Sequence, residues 1–215
     1  MKNLILSILL LSSFSTYAKT DLKGNEFSPE RYVMIIFHGM GAPQDKTFQE
    51  AKDIPDLLRD GGVERLFNTA HSGGKANFKK MLEIFNCQNG IQKNEDIGLI
   101  VLGYSWGSRR NYEFSKFYEK ECGRKADRGY MIDGIQKLVS QFKKAPIATH
   151  CQNYYKTIKP VRGRAVENCE NFDYTDKACK NRDGSYMSGW SCHQATLQAG
   201  FEAALNDIGQ NGLYY

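Results

Sequence analysis

The chain has no apolar run long enough to span a bilayer, no CxxC pair, no internal repeat, no low-complexity tract and no linker, and it carries only four histidines. Each shortage excludes something. A membrane-spanning helix needs roughly 20 apolar residues, whereas the apolar stretch from Leu4 to Leu11 is about eight long, so stable membrane insertion is not expected. Without a CxxC pair the cysteine spacings bring no thiolates together locally, and structural zinc is not expected either. Charge of one sign is not concentrated: 29 Lys and Arg stand against 24 Asp and Glu for a formal +5, or +4 once Lys2 is set aside. The pairs Lys79-Lys80, Arg109-Arg110 and Lys143-Lys144 are scattered among acids, unlike the basic face of a nucleic-acid binder. No nucleic-acid partner follows from such a pattern.

What the chain does have begins with an address. Lys2, the apolar stretch to Leu11 and the small residues up to Ala18 read as a secretory signal peptide over 1–18, cleaved after Ala18. No cysteine lies near that point to carry a lipid. The remaining 19–215 fit a single domain with a substantial core, secreted or periplasmic. Six cysteines, an even number, make disulfides the expectation in an oxidising compartment.

Two unbroken apolar runs, Tyr32 to Phe37 and Ile97 to Leu102, read as strands buried on both faces. Val63 to Thr69, Gly129 to Ile132 and Pro146 to Tyr155 read as further strands. Helical spacing predicts helices over about Thr47 to Arg59, Ala76 to Phe85, Ser105 to Glu121, Ile135 to Phe142 and Gln194 to Leu205. The polar segment Arg162 to Trp190 reads as one long loop. Strands alternating with helices predict an α/β domain, a mostly parallel sheet flanked by helices and joined by right-handed crossovers.

Gly103-Tyr104-Ser105-Trp106-Gly107 follows a predicted buried strand and precedes a predicted helix, which is the sequence context of a nucleophile elbow. A serine hydroxyl needs a neighbouring base. His38 and His71 precede the serine and His150 falls in a predicted strand, which leaves His193 as the expected base. The acid that orients it is expected to be Asp133, at the end of the strand next to that of the serine, with Asp173, Asp176 and Asp183 of the long loop as alternatives. For the developing oxyanion, the expected donors are the backbone amide of Trp106 and that of Met40, with Gly41 as its alternative, in the loop after His38-Gly39. These features call for no cofactor and no metal.

With these motifs in place, the sequence resembles the α/β-hydrolase superfamily, and within it small lipase-like and esterase-like bacterial members with no cap domain. Ile132-Asp133, the Asn153 to Tyr155 segment, Arg162-Gly163, the Asn-rich loop and the late His193 carry the resemblance, while Gly134 stands where such proteins often have Pro. It implies a minimal, lidless α/β-hydrolase fold, Asp133 as the triad acid, and a serine hydrolase acting on a small-molecule or lipid acyl ester. Thioesterase, amidase or acyltransferase chemistry uses the same residues, and a non-catalytic secreted binding module is the alternative of a different class. The expected disulfides are Cys87–Cys122, Cys169–Cys179 and Cys151–Cys192.

Overall fold

The computed structural model describes residues 19–20, 26–27, 29, 31–39, 49–70, 75–137 and 140–211; the expected signal peptide over 1–18 lies outside them. Two short strands, β1 (Lys19–Thr20) and β2 (Glu26–Phe27), pair with each other. The first half of the chain then runs β3 (Arg31–His38), β4 (Gln49–Glu50), α1 (Asp56–Asp60), β5 (Val63–Ala70), α2 (Lys75–Glu83), β6 (Cys87–Gln88), β7 (Ile91–Gln92) and β8 (Ile97–Tyr104). The second half runs α3 (Gly107–Cys122), β9 (Ala126–Ile132), β10 (Ile135–Lys137), β11 (Ser140–Gln141), β12 (Ala148–Tyr155), β13 (Glu170–Asp173), α4 (Thr175–Ala178) and α5 (Gly189–Asn211).

Seven of these strands form one sheet in the order β13-β12-β9-β8-β3-β5-β4, parallel throughout except for β4 against β5. Alternation along the strands divides the core in two. On β3 and β8, Tyr32, Met34, Ile36, Ile100 and Leu102 face the layer of α1 and α5. Val33, Ile35, Phe37, Leu99 and Val101 face α2 and α3, where Phe78, Phe114 and Tyr118 meet them. Both faces are covered, which is why these strands read as continuous apolar runs. This is an α/β fold, a mostly parallel sheet flanked by helices.

Three expectations change. The helix expected over Thr47 to Arg59 is instead the edge strand β4 followed by the single turn-and-a-half of α1: Ala51 N–H bonds to the Leu66 carbonyl and Pro55 occupies the α1 N-cap, which delays the helix. Ile135 to Phe142 is no helix. It forms the β10–β11 hairpin, because Ile135 N–H is taken by the Ser105 carbonyl and Phe142 N–H by that of Gly134. The long loop contains β13, which joins the sheet edge, and the short α4.

The disulfides correct the expected pairing as well. Cys87–Cys122 forms as expected, tying β6 to the end of α3. The other two are Cys151–Cys169 and Cys179–Cys192, in place of Cys169–Cys179 and Cys151–Cys192. Strand register explains the first: β12 and β13 pair in parallel with Gln152 opposite Glu170, so the residues just before each are neighbours. Cys179 caps α4 and Cys192 lies in the first turn of α5, with Cα atoms 4.7 Å apart.

Candidate active site

The strand β8 stops at Tyr104 and α3 starts at Gly107, so the chain must reverse within two residues. Ser105 does so with φ of +52°, a left-handed conformation costly for a residue with a side chain. Its backbone is held from three sides: Ser105 N–H donates to the Ile132 carbonyl at 2.9 Å, and the Ser105 carbonyl accepts from Ser108 and Ile135. Gly107 is required by space, since a Cβ there would lie 1.8 Å from the Phe37 carbonyl oxygen. At Gly103 it would lie 2.7 Å from Asn111 Cβ.

Asp133 directly follows β9, also at positive φ (+43°), with its N–H on the Tyr154 carbonyl of neighbouring β12. Its carboxylate is wholly buried. His193 sits in the first turn of α5, which begins at Gly189, earlier than its apolar spacing predicts. The ring bridges the two: Nδ1 lies 2.5 Å from Asp133 Oδ2, and Nε2 lies 3.1 Å from Ser105 Oγ. A carboxylate only accepts, so Nδ1 carries the proton and Nε2 is left to accept from the serine hydroxyl. Residues 88 apart in sequence are thus joined in one line of hydrogen bonds.

The remaining expected residues separate clearly. His38 is engaged elsewhere: Nε2–H donates to Asn68 Oδ1 at 2.8 Å and Nδ1 accepts from the Tyr104 hydroxyl at 2.7 Å. That hydroxyl also receives a backbone hydrogen bond from Gly39, and burial pushes its pKa up. His150 is exposed on β12, at the end of the strand away from Asp133, so it has no packed role. His71 lies outside the described residues.

The loop acids serve their own turns. Asp173 accepts from Thr175 N–H and Asp183 from Ser185. Asp176 is held below the usual carboxylate range by hydrogen bonds from the Tyr186 hydroxyl and Lys180. For the oxyanion, Trp106 occupies the N-cap of α3 directly after the serine, whereas Met40 lies outside the described residues. Gly39, just before it, approaches the nucleophile so closely that a Cβ would sit 2.8 Å from Ser105 Cβ.

Two further residues lie near the site. Lys156, which follows β12, is completely buried, with Nζ 4.0 Å from Asp133 Oδ2 and 2.7 Å from the Ile158 carbonyl. Nothing in its polar sequence neighbourhood distinguishes it from a surface lysine. Trp190 stands over the His193 ring edge to face, centroids 6.2 Å apart, and is itself 46% exposed. Among the described residues no cluster of three or more His, Cys, Asp or Glu is arranged to hold a metal ion, and no helix is long and apolar enough to cross a membrane.

No protein-family model matches the chain, and no curated protein matches its sequence. Among solved structures it is similar to one described as a novel cutinase-like protein from Cryptococcus sp., at 12% identity over 91% of this chain and 98% of that chain, with a TM-score of 0.44. A likeness of that size carries no functional argument, so the functional reading is left to the geometry of Ser105, His193 and Asp133.

Proposed function

We propose that the protein is a secreted or periplasmic serine hydrolase that cleaves a carboxylic ester through an acyl-enzyme, on a minimal α/β-hydrolase scaffold without a cap. The observation that carries this reading is the hydrogen-bonded line from Ser105 Oγ through His193 to buried Asp133, starting at a left-handed elbow between a strand and a helix. As Ser105 Oγ attacks the ester carbonyl carbon, His193 Nε2 takes its proton, and Asp133 stabilises the imidazolium so formed. The carbonyl oxygen becomes an oxyanion, to which we assign the Trp106 and Met40 amides. Collapse expels the alcohol, protonated by His193. Water then attacks the acyl-serine, again losing its proton to His193, and the adduct breaks the bond to Ser105 Oγ, which takes that proton back from His193 as the carboxylic acid leaves.

The test is direct. A fluorophosphonate probe should label Ser105 and no other residue, and Ser105→Ala should lose roughly 10³-fold or more in hydrolysis of a nitrophenyl ester with an unchanged circular dichroism spectrum. An unlabelled protein, or an alanine variant of undiminished rate, would turn the reading toward a binding module. Nitrophenyl esters of graded chain length then define the acyl group.

A further inference from the structure

A buried lysine needs a reason. Taking an ammonium out of water costs several kcal/mol, and a methionine of similar volume fills the same space without that cost. Among the described residues Lys156 Nζ donates to a single carbonyl, that of Ile158 at 2.7 Å, which falls short of the three acceptors an ammonium seeks. The charge that faces it is Asp133, whose Oδ2 lies 4.0 Å away and is the same oxygen that holds His193 Nδ1. Lys156 reaches the other carboxylate oxygen too, through its backbone N–H, 3.4 Å from Oδ1.

His193 comes from α5 and meets the same Oδ2. On the β13–α4 side, Thr157 N–H meets the neutral hydroxyl of Thr175, and Asp173 directs its carboxylate to Thr175 N–H. Gly163 closes the remaining side, where a Cβ would lie 2.5 Å from Asp133 Oδ1. Burial draws the Lys156 ammonium below the ordinary lysine range, and the Asp133 charge opposes that fall.

We propose that Lys156 is a positioning residue of this site: its buried ammonium anchors the Asp133 carboxylate against His193 Nδ1, and its charge sets the pH above which the imidazole is free to act as a base. This rests on the proposed roles of Ser105, His193 and Asp133. A cation close to the carboxylate offsets part of the carboxylate's pull on the imidazolium, so the ring would release its proton at lower pH than in an Asp–His pair without that cation.

The experiment follows the His193 ring by NMR titration in a Ser105→Ala background, which needs no turnover. Adding Lys156→Met should raise the titration midpoint of the ring by about one pH unit, and Lys156→Arg, which keeps the charge, should bring it back. With Ser105 intact, the acid limb of kcat/KM should move up by the same amount in Lys156→Met, a change that loss of packing alone does not produce. An unmoved midpoint in Lys156→Met overturns the inference. So does a Lys156 Nζ resonance of the unmodified protein that reports a neutral amine at pH 7, a measurement independent of how any variant folds. Fluorophosphonate labelling of the unmodified protein tests the hydrolase reading separately: a moved midpoint with an unlabelled Ser105 sinks that reading alone.

Discussion

Replacing Asp133 with Asn probes the site where its surroundings are least forgiving. Both carboxylate oxygens face donors: His193 Nδ1 at 2.5 Å on Oδ2 and Lys156 N–H at 3.4 Å on Oδ1, with the Lys156 ammonium 4.0 Å from Oδ2. An asparagine offers one acceptor oxygen and one NH₂ group, so in either orientation an N–H confronts an N–H unless the ring changes tautomer. With the NH₂ toward His193, the ring accepts at Nδ1 and carries its proton on Nε2, aimed at Ser105 Oγ, the tautomer that is no base. The loss in kcat/KM should be on the order of 10³- to 10⁴-fold. Stability should fall as well, because the buried ammonium loses its counter-ion at a cost of about 3 kcal/mol. For a chain of this size that is a drop in Tm of roughly 6–12 °C. The same change at Asp173, Asp176 or Asp183, all exposed, should leave the rate near that of the unmodified protein and stability within about 0.5 kcal/mol. Initial rates on a nitrophenyl ester and thermal melts by circular dichroism compare the four. An active Asp133→Asn beside an inactive loop variant would place the acid in the loop and refute the reasoning. Adding Lys156→Met to Asp133→Asn should restore part of the Tm and none of the rate, since it removes the stranded charge without returning the carboxylate.

Gly107→Ala should cost about 3 kcal/mol or more and most of the activity, because the new Cβ meets the backbone oxygen of Phe37 at 1.8 Å and no flexible group can yield. Gly184→Ala, with open space around its Cβ but φ of +85°, should cost only about 1 kcal/mol in a denaturant melt. Cys192 immediately precedes His193 and its disulfide to Cys179 closes a short loop, so graded reduction should lower the rate before it alters the far-ultraviolet spectrum. A linked peptide joining Cys192 to Cys151 in the unreduced protein would contradict the pairing. Between Asp133 and Gly189 the described elements are the strands β10 to β13 and the four-residue α4, with no helix long enough to cover the serine. The rate on a short-chain ester should therefore show no sharp rise at its solubility limit, and a steep jump there would reveal a covering element.

How much of this was legible in the sequence depended on whether the partners were local. The strands β3 and β8 announce themselves because a parallel strand covered on both sides cannot alternate, and the glycines around Ser105 announce the elbow because the clash they avoid is with the turn itself and the adjacent strand. The Ile135 to Phe142 segment was misread for the opposite reason. Its apolar spacing suits a helix, but its ends are tied elsewhere, Phe142 N–H to the Gly134 carbonyl and Ile135 N–H to that of Ser105, a partner in place only once the elbow has formed. Lys156 was invisible for the same cause: the carboxylate that justifies burying it is 23 residues away in sequence.

The cysteines show how one missed element propagates. With Arg162 to Trp190 taken as a loop, closing it on itself through Cys169–Cys179 is the natural pairing, and Cys151 then falls to Cys192. The short strand β13, Glu170 to Asp173, has no apolar run to betray it: Glu170, Asn171 and Asp173 are exposed. It exists because β12 offers an open parallel edge and because Asn171 ties its side chain to Val166, Cys169 and Asn153. Once β13 lies on β12, Cys169 is placed beside Cys151 with Cα atoms 4.5 Å apart, inside the range a disulfide spans. Cys179 and Cys192 are then left to each other, and the bond they form ties the end of α4 to the turn that carries His193. The pairing is thus a consequence of tertiary edge strands, and spacing along the chain has no means of expressing it.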